Sequence, residues 1–326
     1  MVELQDTWSW LPAIYLFFGG LSAGSFLTVA LVKVLRPGKF PKTIMGGMWI
    51  TVGALAIGLL SLISEVEKPF QAMLMPVSFV NPTSWMTIGA WLLLVSFIVF
   101  LLNALCATDG VVAWLGKSWK ALPEKRDRIA RVLAIIGMPL ALCVAVYTGI
   151  LLGAAPAIPL WNTWLLPVLF TISALDTGLA AVLMLAAFVE RDAEFEPIRS
   201  LAEKVVIGLV VLEGITLVAF IASMQAAGTN QAVSVSILTE GALSVQFWVL
   251  VVVVGLLAPL AAAVAQLVIA RTRKDEQVMA VLPVAGGTCA LVGGFTLRFV
   301  VLAAGIHAAL VSPVALEAVR GISTFL

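Results

Sequence analysis

Eight apolar runs constrain this chain more than any other feature, at roughly 12–34, 44–64, 84–105, 130–152, 165–189, 205–225, 246–269 and 278–303. Each is long enough to carry a helix across about 30 Å of hydrocarbon. The 326 residues are 62% hydrophobic and 11% charged, more apolar surface than a soluble core of that size can hide. The expected fold class is therefore an all-α integral membrane protein with eight transmembrane helices. A net charge of +1 leaves no basic face for nucleic acid. Cys106, Cys143 and Cys289 lie far apart, so they form neither a disulfide framework nor an iron–sulfur ligand set. Glu3 and Asp6 precede the first run and no cation does, which argues against a cleaved signal peptide.

The connections alternate in charge. Lys33, Arg36, Lys39 and Lys42 follow the first run; Lys117, Lys120, Lys125, Arg126, Arg128 and Arg131 follow the third. Arg191, Arg199 and Lys204 follow the fifth, and Arg271, Arg273 and Lys274 the seventh, whereas the other side carries only Lys68 and Arg320. The positive-inside rule then places the first set in the cytoplasm and both termini outside, in a multi-pass protein of the cytoplasmic membrane. Trp8, Trp10, Trp85, Trp161, Trp164 and Trp248 would form an outer aromatic belt. "GGLSAG" at 19–24 echoes "SALDTG" at 173–178 in a helix of the same direction, which suggests two four-helix halves, residues 1–155 and 156–326. Gly20 and Gly24 also make a GxxxG pair, whose plainer reading is close helix packing.

The single histidine, His307, follows the last run, so a bis-histidine haem cannot be built, and no metal, phosphate or nucleotide motif appears. Polar chemistry gathers instead at the outer ends. The only two tyrosines, Tyr15 and Tyr147, lie there. Glu65, Glu67 and Lys68 close the second helix; Asn81, Thr83 and Ser84 can cap the third, and Asn162 opens the fifth. Phenols, amides and a carboxylate beside an apolar cleft suit a quinone headgroup, which needs hydrogen-bond donors and a proton acceptor. An interfacial salt-bridge patch of Glu65 or Glu67 with Lys68 is the plainer alternative. Deeper in the spans lie Asp176, Glu213 and Arg298, each costing about 2.5–3.5 kcal/mol at a helix centre. They read either as a proton relay or as a structural ion pair.

"YLFFGGLSAGSF", "EKPF…NPTSWMTIGAW", "YTGILLG" and "PLWNTWLLPVLFTISALDTG" together resemble the NrfD/PsrC family of membrane subunits of polysulfide-reductase-like complexes. The resemblance is motif by motif over about 10–185 and by helix pattern beyond. It implies two four-helix bundles, a quinone site near the outer surface, an iron–sulfur partner docked above it and, in many relatives, a molybdopterin catalytic subunit. By motif match Tyr147 would be a headgroup ligand. Glu65 to Pro69 would stand where the family often has a D-L-G-R-P-like turn, with the arginine replaced. Some members use a helix 1 histidine near the quinone; here Tyr15 is the substitute at hand. The expected function is a quinone-binding subunit of an extracytoplasmic oxidoreductase. Glu65 and Tyr147 would be its reactive groups, with Tyr15, Lys68, Asn81, Ser84 and Asn162 around the headgroup. Asp176, Glu213 and Arg298 would form a possible proton path. The chain itself would hold no haem, cluster or metal. A secondary transporter with a midplane carboxylate site is the alternative.

Overall fold

The computed structural model describes residues 10–65, 84–117, 122–155, 157–190, 195–272 and 276–306. Lys68, Asn81 and His307 lie outside them, as does the side chain of Glu65, which ends the second helix. The described residues are all-helical, with eight helices long and apolar enough to cross a membrane. These are α1 Trp10–Leu35, α2 Pro41–Glu65, α3 Trp85–Ala107, α4 Leu122–Gly153, α5 Leu165–Val189, α6 Glu196–Ala227, α7 and α8 Glu276–Ala303. Helix α7 begins as a π-wound segment, Gln246–Leu257, and continues as the α-helix Ala258–Thr272. At the junction the Ala258 N–H reaches back five residues to Val253 O. Two short helices, Asp109–Gly116 and Thr229–Thr239, lie in the connections after α3 and α6.

Every apolar run is a helix, but two helices start well before the run does. Helices α4 and α6 begin at Leu122 and Glu196, not near 130 and 205. Hydropathy stops at charged side chains, whereas Glu, Lys and Arg are good helix formers and carry the helix on past the hydrocarbon. Glu203 therefore stands on α6, not in a connection.

Helices α1 and α5 are the most enclosed of the eight, with 72% and 67% of their apolar windows buried against 28% for α3 and α7. They cross directly through the two echoed hexapeptides. A Cβ on Gly24 would overlap Ala174 O, and one on Gly178 would overlap the Gly24 carbonyl carbon. The matching glycines thus face each other, and close packing is what they permit. Helix α1 also packs on α2 and α4, with α3 against α2 and α4; α5 packs on α4, α6 and α8, with α7 against α6 and α8.

Polar side chains tie the helix ends together at one end of the molecule. Lys33 at the end of α1 donates to Asn103 Oδ1 on α3 at 2.9 Å. Arg126 on α4 donates to Cys106 O at 2.8 Å and Ala107 O at 3.2 Å, neutralising the carbonyl end of α3, and pairs with Asp109. Glu190, just past α5, accepts from Thr43 N and Thr43 Oγ1 at 3.3 and 3.2 Å, which holds the first turn of α2. This is the basic end.

At the opposite end the aromatic residues divide. Trp10, Trp85, Trp164 and Trp248 are exposed, as a belt requires, but Trp161 is fully buried and donates from Nε1 to Val301 O at 2.9 Å. Trp161 is therefore a packing residue, because its indole N–H finds a carbonyl inside the fold.

Candidate functional site

Two polar clusters occupy the interior. The first is the pair of phenols. Tyr15 is five residues into α1 and Tyr147 six residues from the end of α4, so each lies about 7–9 Å inside the end opposite the basic one. The side chains interact with each other, 132 residues apart in sequence (147 minus 15), and are 2% and 6% exposed. The Tyr147 hydroxyl is seated on α3, where a Cβ on Gly89 would overlap it. A glycine there is what lets the phenol come up against the α3 backbone. Gly89 belongs to the "TIGAW" stretch, and only its lack of a side chain marks it in the sequence.

The second cluster surrounds Arg298, which is fully buried on α8. The side chain points back towards the start of its helix, as helical side chains do. Nη1 donates to Gly294 O at 2.8 Å and to Ser173 Oγ at 3.1 Å; Nη2 donates to Phe170 O at 3.3 Å. The guanidinium also lies 5.2 Å from the Phe170 ring centre and 5.8 Å from that of Phe17. Gly20 of α1 leaves room for it, since a Cβ there would sit 2.8 Å from Nη2. The first glycine of the GxxxG pair thus admits a guanidinium, and the second admits a backbone.

Asp176 on α5 and Glu213 on α6 are 2% and 5% exposed. Glu213 is within electrostatic range of Asp176 and Arg298, and its carboxyl interacts with the Ser173 hydroxyl. Ser173 therefore stands between cation and carboxylate, accepting from one while facing the other. Among the described residues neither carboxylate makes a close ion pair with Arg298, and Asp176 Oδ1 and Arg298 Nε have no hydrogen-bond partner. Main-chain carbonyls, Ser173 and two rings hold the guanidinium, with Glu213 near enough to feel its charge.

The outer polar residues are scattered differently. Ser84 occupies the N-cap position of α3 but its side chain makes no capping bond; only its carbonyl enters the helix, accepting from Ile88 N at 3.0 Å. Asn162 is exposed in the connection before α5, where the Thr163 hydroxyl, not Asn162, accepts from the Leu165 N–H at 3.3 Å. The structure thus brings Tyr15 and Tyr147 together, and separately Asp176, Glu213 and Arg298. Neither Ser84 nor Asn162 hydrogen-bonds to the phenols.

The family model described as "Polysulphide reductase, NrfD" matches residues 3–309. Among curated proteins, the chain is similar to the C component of polysulfide reductase from Wolinella succinogenes, 30% identical over 79% of this chain and 84% of that protein. It is likewise similar to the protein NrfD of Escherichia coli, 30% identical over 91% of this chain and 94% of that one. The C component of selenate reductase from Mesobacillus selenatarsenatis is 27% identical over 56% of this chain and 48% of its own length. Eight apolar helices and a family match over nearly the whole sequence lead to one assignment: the chain is a multi-pass membrane protein of the NrfD family.

Proposed function

We propose that this chain is the quinone-reactive membrane subunit of an oxidoreductase complex. Its relatives are named as parts of polysulfide reductase and selenate reductase, which supports a role as one subunit among several. The observation that carries the reading is the meeting of the only two tyrosines, as a buried pair, where α1, α3 and α4 converge. Oxidation of a quinol releases two electrons and two protons. A phenol pair hydrogen-bonds the headgroup oxygens, a carboxylate such as Glu65 at the end of α2 takes one proton, and water at the outer surface takes the other. The electrons pass to an iron–sulfur subunit docked on the same face and on to a catalytic subunit, of molybdopterin type by the family resemblance. Menaquinone and ubiquinone share the headgroup chemistry this reading needs.

The same reading sets the chain as two four-helix halves, α1–α4 and α5–α8, meeting along α1 and α5. The basic end faces the cytoplasm and the phenols face outwards, in the cytoplasmic membrane. The positive charges that α1, α4 and α6 bring to one end support that orientation. Electrons that enter and leave on the outer side move no charge across the membrane. Asp176 and Glu213 near the middle of α5 and α6, with Arg298 in the outer half of α8, are the groups placed to move protons instead.

The test uses the assembled complex. Tyr147→Phe keeps the ring and removes one hydroxyl; Glu65→Gln keeps the shape and removes the proton acceptor. Both should impair quinone-linked turnover and leave the partner's activity with an artificial electron donor intact. Wild-type quinone kinetics in both variants would place the site elsewhere.

A further inference from the structure

A third polar site lies at the basic end, among α5, α6, α7 and α8. A cavity there leaves about 20 Å³ for water centres, enough for about one molecule. Glu203 of α6 and Gln266 of α7 line it and are 4% and 2% exposed. Gln266 Nε2 has no hydrogen-bond partner among the described residues. A water bound between this buried amide nitrogen and the carboxyl would supply the missing partner. Pro259 and Pro283 also line the cavity, and neither can donate the ladder bond to the carbonyl one turn back. The site thus offers an acid, an amide and two helical prolines around a water-sized space.

Its position gives it a purpose. The inward stripe of α6 reads Glu203, Val206, Val210, Glu213, Leu217, Phe220 and Met224, all buried at three- and four-residue spacing. Glu203 and Glu213 therefore face the same interior about 15 Å apart along the helix. On α5 the cavity reaches Ala180, one turn from Asp176 on the same face. One turn before Glu203 on α6, towards the basic end, Arg199 pairs with Glu196 at 3.5 Å.

We propose that the Glu203–Gln266 cavity is a hydrated proton intake, through which Asp176 and Glu213 exchange protons with the basic end. No bond other than to the proton changes: Glu203 takes it from water at the mouth and releases it inward through the water held by Gln266. The inference rests on the proton-coupling part of the function proposed above.

Two measurements on the complex test it. In sealed liposomes with a potential-sensitive dye, Glu203→Gln should slow quinone-driven build-up of potential by about tenfold or more, as loss of a proton-transfer group does. Glu203→Asp should partly restore it, and turnover in the presence of an uncoupler should stay at the wild-type rate. A Glu203→Gln complex that builds potential at the wild-type rate overturns the intake, while coupling itself stands. A wild-type complex that builds none overturns coupling, and the intake with it. Independently, the infrared carboxyl band that disappears in Glu203→Gln should shift at once on transfer to D2O. A band that fails to exchange would show Glu203 sealed from water, and would overturn the proposal whatever the dye reports.

Discussion

Helices α1–α4 and helices α5–α8 differ in the polar groups they bury. Inside the first lie neutral side chains: Tyr15, Tyr147, Ser22, Ser96 and Asn103. Inside the second lie Asp176, Glu203, Glu213 and Arg298, each of which ionises. Neutral donors cost little to bury once paired, whereas an ionisable group in a membrane span is expensive and calls for a partner or a task. The crossings differ in the same sense. Helix α3 approaches α4 through Gly89 to receive a phenol, while α7 approaches α8 backbone to backbone, where a Cβ on Gly293 would overlap Gly255 Cα. Both sets bury hydroxyls, but the buried carboxyls and the guanidinium of the spans lie among α5–α8. Damage should therefore show as lost stability in the second set and as lost quinone kinetics in the first.

Arg298→Leu should have the largest effect. It removes the donor to Ser173, Phe170 O and Gly294 O and leaves two buried carboxyls without a cation. Losing one side of such a buried arrangement costs about 3–5 kcal/mol, so the melting temperature in detergent should fall steeply. Adding Glu213→Leu should recover part of it. A single variant that melts like wild type would mean the cluster carries no structural weight.

Next comes Gly178→Ala, which drives a methyl into the Gly24 backbone at the α1–α5 crossing. Overpacking there should cost about 1–3 kcal/mol, read from the same melting curves. Unchanged melting would show that α1 and α5 adjust to each other freely.

Gly89→Ala should be milder for stability and sharper for function. The new methyl would overlap the Tyr147 hydroxyl and the ring carbons Cζ and Cε1, so the whole phenol has to swing away from α3 while the backbones stay in place. The variant should melt near wild type yet match Tyr147→Phe in quinone-linked kcat/KM, a loss of about two- to tenfold for one hydrogen bond of 0.5–1.5 kcal/mol. A large drop in melting temperature with intact kinetics would reverse the division drawn between the two sets of helices.

Much of this architecture is legible in the sequence, for physical reasons. A run such as 84–105 has to be a spanning helix because hydrocarbon permits almost nothing else. Asp176, Glu213 and Arg298 stand out because charge is rare in such runs. Three other features do not stand out. Glu203 hides among the charges that begin α6, and only the helical stripe it shares with Val206, Val210 and Glu213 reveals that it faces inwards. Gly89 and Gly20 act through the absence of a side chain, and what fills that space comes from helices more than 50 residues away (147 − 89 and 298 − 20). Trp161 reads as a belt residue from its place close to Trp164, yet Trp164 is 84% exposed and Trp161 is buried. Which of two neighbouring tryptophans turns inwards depends on a carbonyl, Val301 O, from the last helix.

The central claim, that a quinone headgroup binds at the meeting of α1, α3 and α4, is tested most directly by photolabelling the purified complex with an azido-quinone and mapping the modified peptides. The label should fall on peptides containing Tyr15, Gly89 or Tyr147 and be competed away by excess unmodified quinone. Labelling that concentrates on α5–α8, or that excess quinone does not displace, would contradict it.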